Sequence, residues 1–286
     1  MELGKGAVVV TGASTGIGAT TALHLDRLGF VVFAGVRRDA DGVALQAQAT
    51  PRLVPILLDV TDAASIATAA QTVAAAVGDA GLAGLVNNAG IAVAGPLEFL
   101  PIAALRQQLE VNVIGQIAVT QAMLPLLRRA KGRIVNIGSI SGKLVSAMTG
   151  AYAASKFAME ALTDGLRLEL RPWGIQVAVV EPGVTATPIW QKSLAAANDL
   201  TQQLPPEVET LYGGMIAATR AGATRNAAGG GTPPQLVADA VAHALTARRA
   251  RTRYPVGRDA RIGSLLARLL SDRTKDRLLG GRHQKA

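Results

Sequence analysis

Thr11-Gly12-Ala13-Ser14-Thr15-Gly16-Ile17-Gly18 ends an apolar run, Gly6–Thr11, and leads into a stretch that reads as a helix to about Leu28. Glycines let the chain turn tightly and bring backbone N–H groups up against a pyrophosphate. A helix starting at the turn points its positive N-terminal end at the same group. The spacing is Gly-x-x-x-Gly-x-Gly rather than Gly-x-Gly-x-x-Gly, so the strand–turn–helix setting carries the reading and the glycines alone do not. Gly12, Ser14, Thr15, Gly16, Ile17 and Gly18 are the candidate nucleotide contacts of this turn.

Further strand-like runs follow at Phe30–Val36, Leu53–Leu58, Gly84–Asn87, Arg133–Ile137, Ile175–Val180 and Arg251–Val256. Most are continuously apolar, as in strands buried on both faces, and the segments between them are long enough for helical crossovers. Ala63–Val77, with Gly78 and Gly81 at its end, and Gln235–Arg248 read as helices. The alternation predicts a Rossmann-like, doubly wound parallel α/β sheet of about seven strands, forming a single domain over residues 1–258. Residues 185–232 depart from it. They hold no clear strand and contain Pro188, Pro205, Pro206, Gly213, Gly214 and Gly229–Gly231, which suggests a long irregular insert that shapes a substrate site. Residues 259–286 read as a basic helical extension, with Ile262, Leu265, Leu266, Leu269 and Leu270 on one face of Ala260–Leu270.

The chain has 286 residues, of which 49% are hydrophobic and 17% charged, so it is globular rather than disordered. The lack of cysteine excludes a disulfide scaffold, a thiol nucleophile and thiolate metal sites. His24, His243 and His283 are too scattered to suggest a metal cluster. The whole net charge of +9 falls in the last 43 residues, where 12 Lys and Arg face 3 Asp and Glu. The neutral body argues against a nucleic-acid partner, while the tail can attract a lipid surface, an acidic partner or a charged substrate. No signal peptide is read before the first strand and no uncharged stretch reads as a transmembrane helix, so a cytoplasmic enzyme is expected.

The second apolar run ends at Val36-Arg37-Arg38-Asp39, about 20 residues past the turn, where an acidic side chain would take the ribose hydroxyls of NAD and an arginine the 2′-phosphate of NADP. Arg37 and Arg38 come before Asp39, which favours NADP and keeps NAD as the alternative. Tyr152-Ala153-Ala154-Ser155-Lys156 places a phenol and an ammonium at i and i+4, on one face of a helix. An ammonium beside a phenol is expected to lower its pKa toward the working range, so that the phenol serves as general acid or base on an alcohol–carbonyl pair. Ser139 follows the fifth strand, at the sheet edge where ligands of open α/β folds bind.

Taken in order, Thr11–Gly18, Asp59-Val60, Asn87-Asn88-Ala89-Gly90, Asn112, Ser139, Tyr152, Lys156 and Pro182-Gly183 with Thr185 and Thr187 resemble the short-chain dehydrogenase/reductase family over residues 6–190. The resemblance implies that Tyr152 exchanges a proton with the substrate oxygen, Ser139 positions that oxygen, and Lys156 tunes Tyr152 and holds the nicotinamide ribose. It implies that Asn112 holds a water linked to Lys156. Asp59 and Val60 would contact the adenine, Asn88, Ala89 and Gly90 would support that side of the cofactor, and Pro182, Gly183, Val184 and Thr187 would flank the nicotinamide. The function implied is hydride transfer between NADP(H) and a ketone or secondary alcohol, without a metal. The alternatives are an NAD-dependent alcohol dehydrogenase of the same family and a non-catalytic nucleotide-binding regulator; intact Tyr152, Lys156, Ser139 and Asn112 weigh against the regulator.

Ile189, Trp190, Leu194, Leu200, Leu204, Leu211, Tyr212, Met215 and Ile216 give the insert an apolar lining suited to a lipophilic substrate, as in the steroid- and retinol-oxidising branch of that family. The tail helix is expected to close the pocket, pack on a second subunit, or rest on a membrane, in that order. The resemblance also implies a homodimer or homotetramer built on the helices around Leu105–Leu127 and Ala151–Trp173.

Overall fold

Val8 and Val10 of the first strand, β1 (Ala7–Val10), point to one face of the sheet, Ala7 and Val9 to the other, and all four are fully buried. That two-sided burial is why the strand reads as an unbroken apolar run. In the computed structural model, which describes residues 4–202 and 204–279, β2 (Val31–Val36), β3 (Leu53–Leu57), β4 (Gly84–Asn87), β5 (Arg133–Ile137), β6 (Gln176–Pro182) and β7 (Arg253–Val256) join β1 in a sheet of order β3-β2-β1-β4-β5-β6-β7. Every pairing is parallel. The order reverses between β1 and β4, the switch point beside which doubly wound sheets bind ligands at their strand C-termini.

The helices in chain order are α1 (Gly16–Arg27), α2 (Asp39–Gln46), α3 (Ala63–Val77), α4 (Ile102–Leu109), α5 (Gly115–Ala130), α6 (Gly150–Glu169), α7 (Ile189–Gln202), α8 (Glu207–Ala227), α9 (Pro234–Thr246), α10 (Arg258–Leu269) and α11 (Asp272–Leu279). Ala22 and Leu25 of α1 and Val237 and Val241 of α9 cover one face of the sheet. Ile66 and Val73 of α3 and Val119, Met123 and Leu127 of α5 cover the other.

No uncharged stretch reads as a transmembrane helix, yet the helical run Ile102–Ala130, charges included, is long and apolar enough to cross a membrane by length and composition. Its apolar side is that of a core helix, since Val119, Met123, Leu126 and Leu127 are packed against the sheet. One π-helical turn, Glu110–Ile114, interrupts this run and carries Asn112.

The insert is not irregular. Residues 185–232 form the helical pair α7 and α8, because the prolines stand at helix starts: Pro188 directly precedes α7 and Pro206 directly precedes α8. Proline is well accommodated there, where its missing N–H has no intrahelical partner to lose. The ends of the insert are pinned together, with Ala186 N donating to Thr232 O (3.0 Å) and Thr232 N to Val184 O (2.8 Å).

α10 lies behind the segment that follows β5. Gly263 is buried against Ile140 and Leu144, leaving no room for a side chain. Ile262, Leu265 and Leu269 remain 49%, 57% and 71% exposed, so the apolar face expected to close a pocket is open to its surroundings over most of its length. His283 lies outside the described residues.

Candidate active site

The turn after β1 is stitched to its neighbours through Thr11 and Asn88. Thr11 Oγ1 accepts from the N–H groups of Asn88 and Ala89, each at 2.9 Å. The Asn88 side chain donates to the carbonyls of Thr11 (2.9 Å) and Gly12 (3.1 Å). Asn88 therefore shapes the turn from below. Gly12 and Gly16 have φ of +64° and +58°, the left-handed region that glycine enters without strain. A Cβ on Gly18 would lie 2.2 Å from Gly12 O and 2.5 Å from Asn88 Nδ2, and one on Gly16 would meet Thr187 at 3.1 Å. The turn is thus a cradle that side chains would fill, directly at the start of α1, and it fits a dinucleotide phosphate. Gly18→Ala is expected to destabilise the fold by about 1–3 kcal/mol through overpacking and to weaken nucleotide binding with it; thermal unfolding beside a nucleotide titration checks both.

Around the turn, the acidic and basic candidates separate. Arg38 forms a two-pronged pair with Asp41 (2.9 and 2.8 Å), which holds the Asp41 carboxyl below its usual range. Arg37 is exposed and, among the described residues, forms no ion pair. Of the two arginines only Arg37 is uncommitted. Burial pushes the Asp59 carboxyl up, but hydrogen bonds from the N–H and hydroxyl of Thr61 (2.9 and 2.7 Å) and the charge of Arg37 outweigh it and hold the group low. Val60 is buried, its carbonyl so close to Gly115 that no side chain fits between them.

The post-β4 segment is held by three amides spaced four residues apart. Gln108 takes Val93 N (2.7 Å) and donates to Ile91 O (3.0 Å), and Gln116 donates to Ala89 O (2.6 Å). Asn112 sits between them. Its Oδ1 accepts from Ile91 N (2.8 Å), and its Nδ2 donates to Ile91 O (3.0 Å) and Ser155 Oγ (3.1 Å). Asn112 thus reaches α6 through Ser155 and not through Lys156. Gly90 packs against it, 3.4 Å from where a Cβ would stand.

Ser139, Tyr152 and Lys156 converge at the C-terminal end of β5. Ser139 is buried, its Oγ accepts from Ser141 N (3.1 Å), and its hydroxyl stands near enough to that of Tyr152 to influence its titration. Lys156 Nζ donates to Ile137 O (2.8 Å) and lies 5.8 Å from the centroid of the Tyr152 ring. The expected lowering of the phenol pKa by the ammonium is not what the geometry gives. Burial raises the Tyr152 hydroxyl above its usual value, with the nearby Ser139 hydroxyl pulling the other way. The same burial lowers Lys156 to about 8, because its ammonium has left water for one backbone carbonyl.

Several supporting residues carry no local sequence signal, because their partners are far along the chain. Asp259 of α10 accepts from Val184 N (2.7 Å) and fills the space over Gly183, so it fixes the Pro182-Gly183-Val184 bend. Lys192 of α7 reaches across to Thr15 Oγ1 (3.3 Å), placing a cation over the phosphate turn. Under the Ser139 segment, fully buried Glu181 takes Lys143 (2.7 Å) and Arg253 (3.1 Å), and Arg253 also holds Glu160 and Asp164. Only Gln108 and Gln116, four residues either side of Asn112 and so on its helical face, could have been picked out by spacing.

A parallel sheet with a dinucleotide cradle at its switch point and a serine–tyrosine–lysine cluster on the neighbouring strand end defines an NAD(P)-dependent oxidoreductase. The short chain dehydrogenase family model matches residues 6–198, and the chain belongs to that family. It is 40% identical to retinol dehydrogenase 5 of Mus musculus over 277 residues, covering 95% of this chain and 87% of that one. It is 41% identical to 17-beta-hydroxysteroid dehydrogenase type 6 of Bos taurus over 260 residues, covering 89% and 81%. A solved short-chain dehydrogenase from Streptomyces avermitilis superposes with a TM-score of 0.78 at 31% identity, covering 94% of each chain.

Proposed function

We propose that the protein interconverts a lipophilic secondary alcohol and its ketone, with NADP(H) as the preferred cofactor. The observation that carries the reaction is the convergence of Ser139, Tyr152 and Lys156 at one strand end. The bound nicotinamide supplies or accepts hydride at the substrate carbon. In reduction, Ser139 donates a hydrogen bond to the carbonyl oxygen as charge builds there, and Tyr152 delivers the proton to that oxygen. In oxidation, the alcohol proton leaves to Tyr152. Lys156 holds the nicotinamide ribose, and Asn112 secures the segment against which it lies. Gly12, Gly16, Ile17 and Gly18 hold the diphosphate with Ser14, Thr15 and Lys192 beside it, while Asp59, Val60 and Ala89 border the adenine and Pro182, Val184 and Thr187 the nicotinamide. A lipophilic substrate is supported by the apolar side chains of the insert and by relatives whose names specify retinol and hydroxysteroids.

NADP(H) is supported by the contrast between the uncommitted Arg37 and the paired Arg38. Arg37→Asp is expected to weaken NADPH binding by at least about tenfold more than NADH binding, since a carboxylate would then face the 2′-phosphate. Titrations of both cofactors at one ionic strength check this. Equal weakening removes the phosphate role, and tighter NADH binding by the unaltered protein moves the ribose contact to Asp39. A homodimer through α4–α5 and α6 is supported by the exposure of Ile102, Ile114, Phe157 and Leu168 along those helices and of Trp173 in the turn that follows α6.

A further inference from the structure

α7 and α8 border, together with the post-β4 segment, a narrow cleft that is open to solvent on one side. Gly95, Pro96, Met148, Leu200, Leu204 and Ile216 make its walls apolar. Met148 stands four residues before Tyr152, so the cleft begins beside the first turn of the helix that carries the reacting phenol. One charged group enters it. Arg220 of α8 lines the cleft with Thr201 and Thr219. Its guanidinium donates to Thr201 Oγ1 (3.2 Å), while its Nε is buried without a hydrogen-bond partner. Among the described residues no carboxylate pairs with it. Glu98, the acid of the facing segment, is engaged with the hydroxyl of Tyr212 (2.6 Å). An arginine inside an apolar cleft with an unsatisfied N–H is costly unless an anion completes it. A guanidinium is also the side chain best shaped to take a carboxylate through two parallel hydrogen bonds.

We infer that this cleft selects a carboxylate-bearing substrate, an oxo acid or hydroxy acid with an apolar chain, whose carboxylate docks on Arg220 while its oxygen-bearing carbon lies at Tyr152. The inference rests on the proposed alcohol–ketone reaction and sharpens it. The Thr219 hydroxyl beside it would share the carboxylate, while that of Thr201, donated to Ala197 O (2.6 Å), only holds the guanidinium in place. A purely neutral lipophilic substrate would leave Arg220 without its partner and bury it further.

The test compares (ω−1)-oxo fatty acids of eight to fourteen carbons with their methyl esters, using NADPH and the full-length protein. For the best chain length, kcat/KM is expected to favour the acid by at least about tenfold. In Arg220→Leu the preference should collapse to near one, mainly through KM for the acid, and in Arg220→Lys it should persist in part. Equal use of acid and ester by the unaltered protein, or an undiminished preference in Arg220→Leu, overturns the assignment. Binding of decanoate, followed by the fluorescence of Trp190 and Trp173, separates the two layers. Decanoate that binds in an Arg220-dependent way, with no turnover of any ketone, would uphold the carboxylate site and overturn the proposed reaction. Turnover of neutral ketones with no effect of decanoate would do the reverse.

Discussion

Tyr152→Phe is expected to lower turnover by about 10²–10⁴-fold, the range associated with a positioned general acid or base, while cofactor affinity changes little. The substitution deletes one oxygen. The ring stays, so the packing at the start of α6 and the contact with Lys156 stay with it. The deleted hydroxyl is the one facing Ser139, and none of the contacts of the phosphate turn involve it. Burial keeps that hydroxyl protonated above the usual phenol range. Reduction, which needs the proton on Tyr152, should therefore hold its rate through neutral pH and decline only in strongly alkaline solution. Oxidation, which needs the phenolate, should rise with pH across the same range. Steady-state rates in both directions, with a nucleotide titration of the variant, check this. Near-normal turnover in Tyr152→Phe would remove Tyr152 from the chemistry, and a parallel loss of cofactor affinity would show a structural role instead.

The features legible in the sequence are those whose causes are local. β1 and β2 were visible because two-sided burial leaves no polar residue to break the run. The cradle was visible because Gly12, Gly16 and Gly18 must each be glycine for reasons internal to one turn, and Tyr152 and Lys156 because one helical turn joins them. The insert misled because a proline gives the same letter whether it breaks a helix or starts one. Only the boundaries at Ile189 and Glu207 show that these prolines start them. Asp259 meets Val184 across 75 positions and Lys192 meets Thr15 across 177, distances over which no periodicity speaks. The pKa direction expected for Tyr152 failed for a related reason. A neighbouring ammonium can be read from spacing, but the burial that raises the phenol is a property of the assembled fold.

Lys156→Met should remove catalysis and, at neutral pH, strengthen the fold. The lysine is 5% exposed and has its pKa lowered from 10.5 to about 8. Between about pH 8 and 10.5 the unfolded chain carries a proton on this amine that the folded chain has released. Stability therefore rises with pH through that window, and below it the buried ammonium carries its full penalty. A shift of this size corresponds to about 3 kcal/mol. Methionine is of similar length and carries no charge, so it escapes the penalty. It loses the hydrogen bond to Ile137 O, which offsets about 1 kcal/mol of the gain. The variant is thus expected to be more stable than the unaltered protein by about 2 kcal/mol at pH 7, with the difference shrinking and then reversing above pH 10. Urea unfolding of both proteins at pH 7 and pH 10.5 measures it, beside an activity assay in which the loss should reach about 10²-fold or more. If the variant proves less stable at pH 7, with the pH slope unchanged, then the ammonium is compensated in the fold and its proton is not withheld by burial. If it is more stable but still active, Lys156 is a buried charge without a part in the reaction. Only the combination, a stronger fold that no longer turns over substrate, marks Lys156 as a group kept in an unfavourable place for its chemistry.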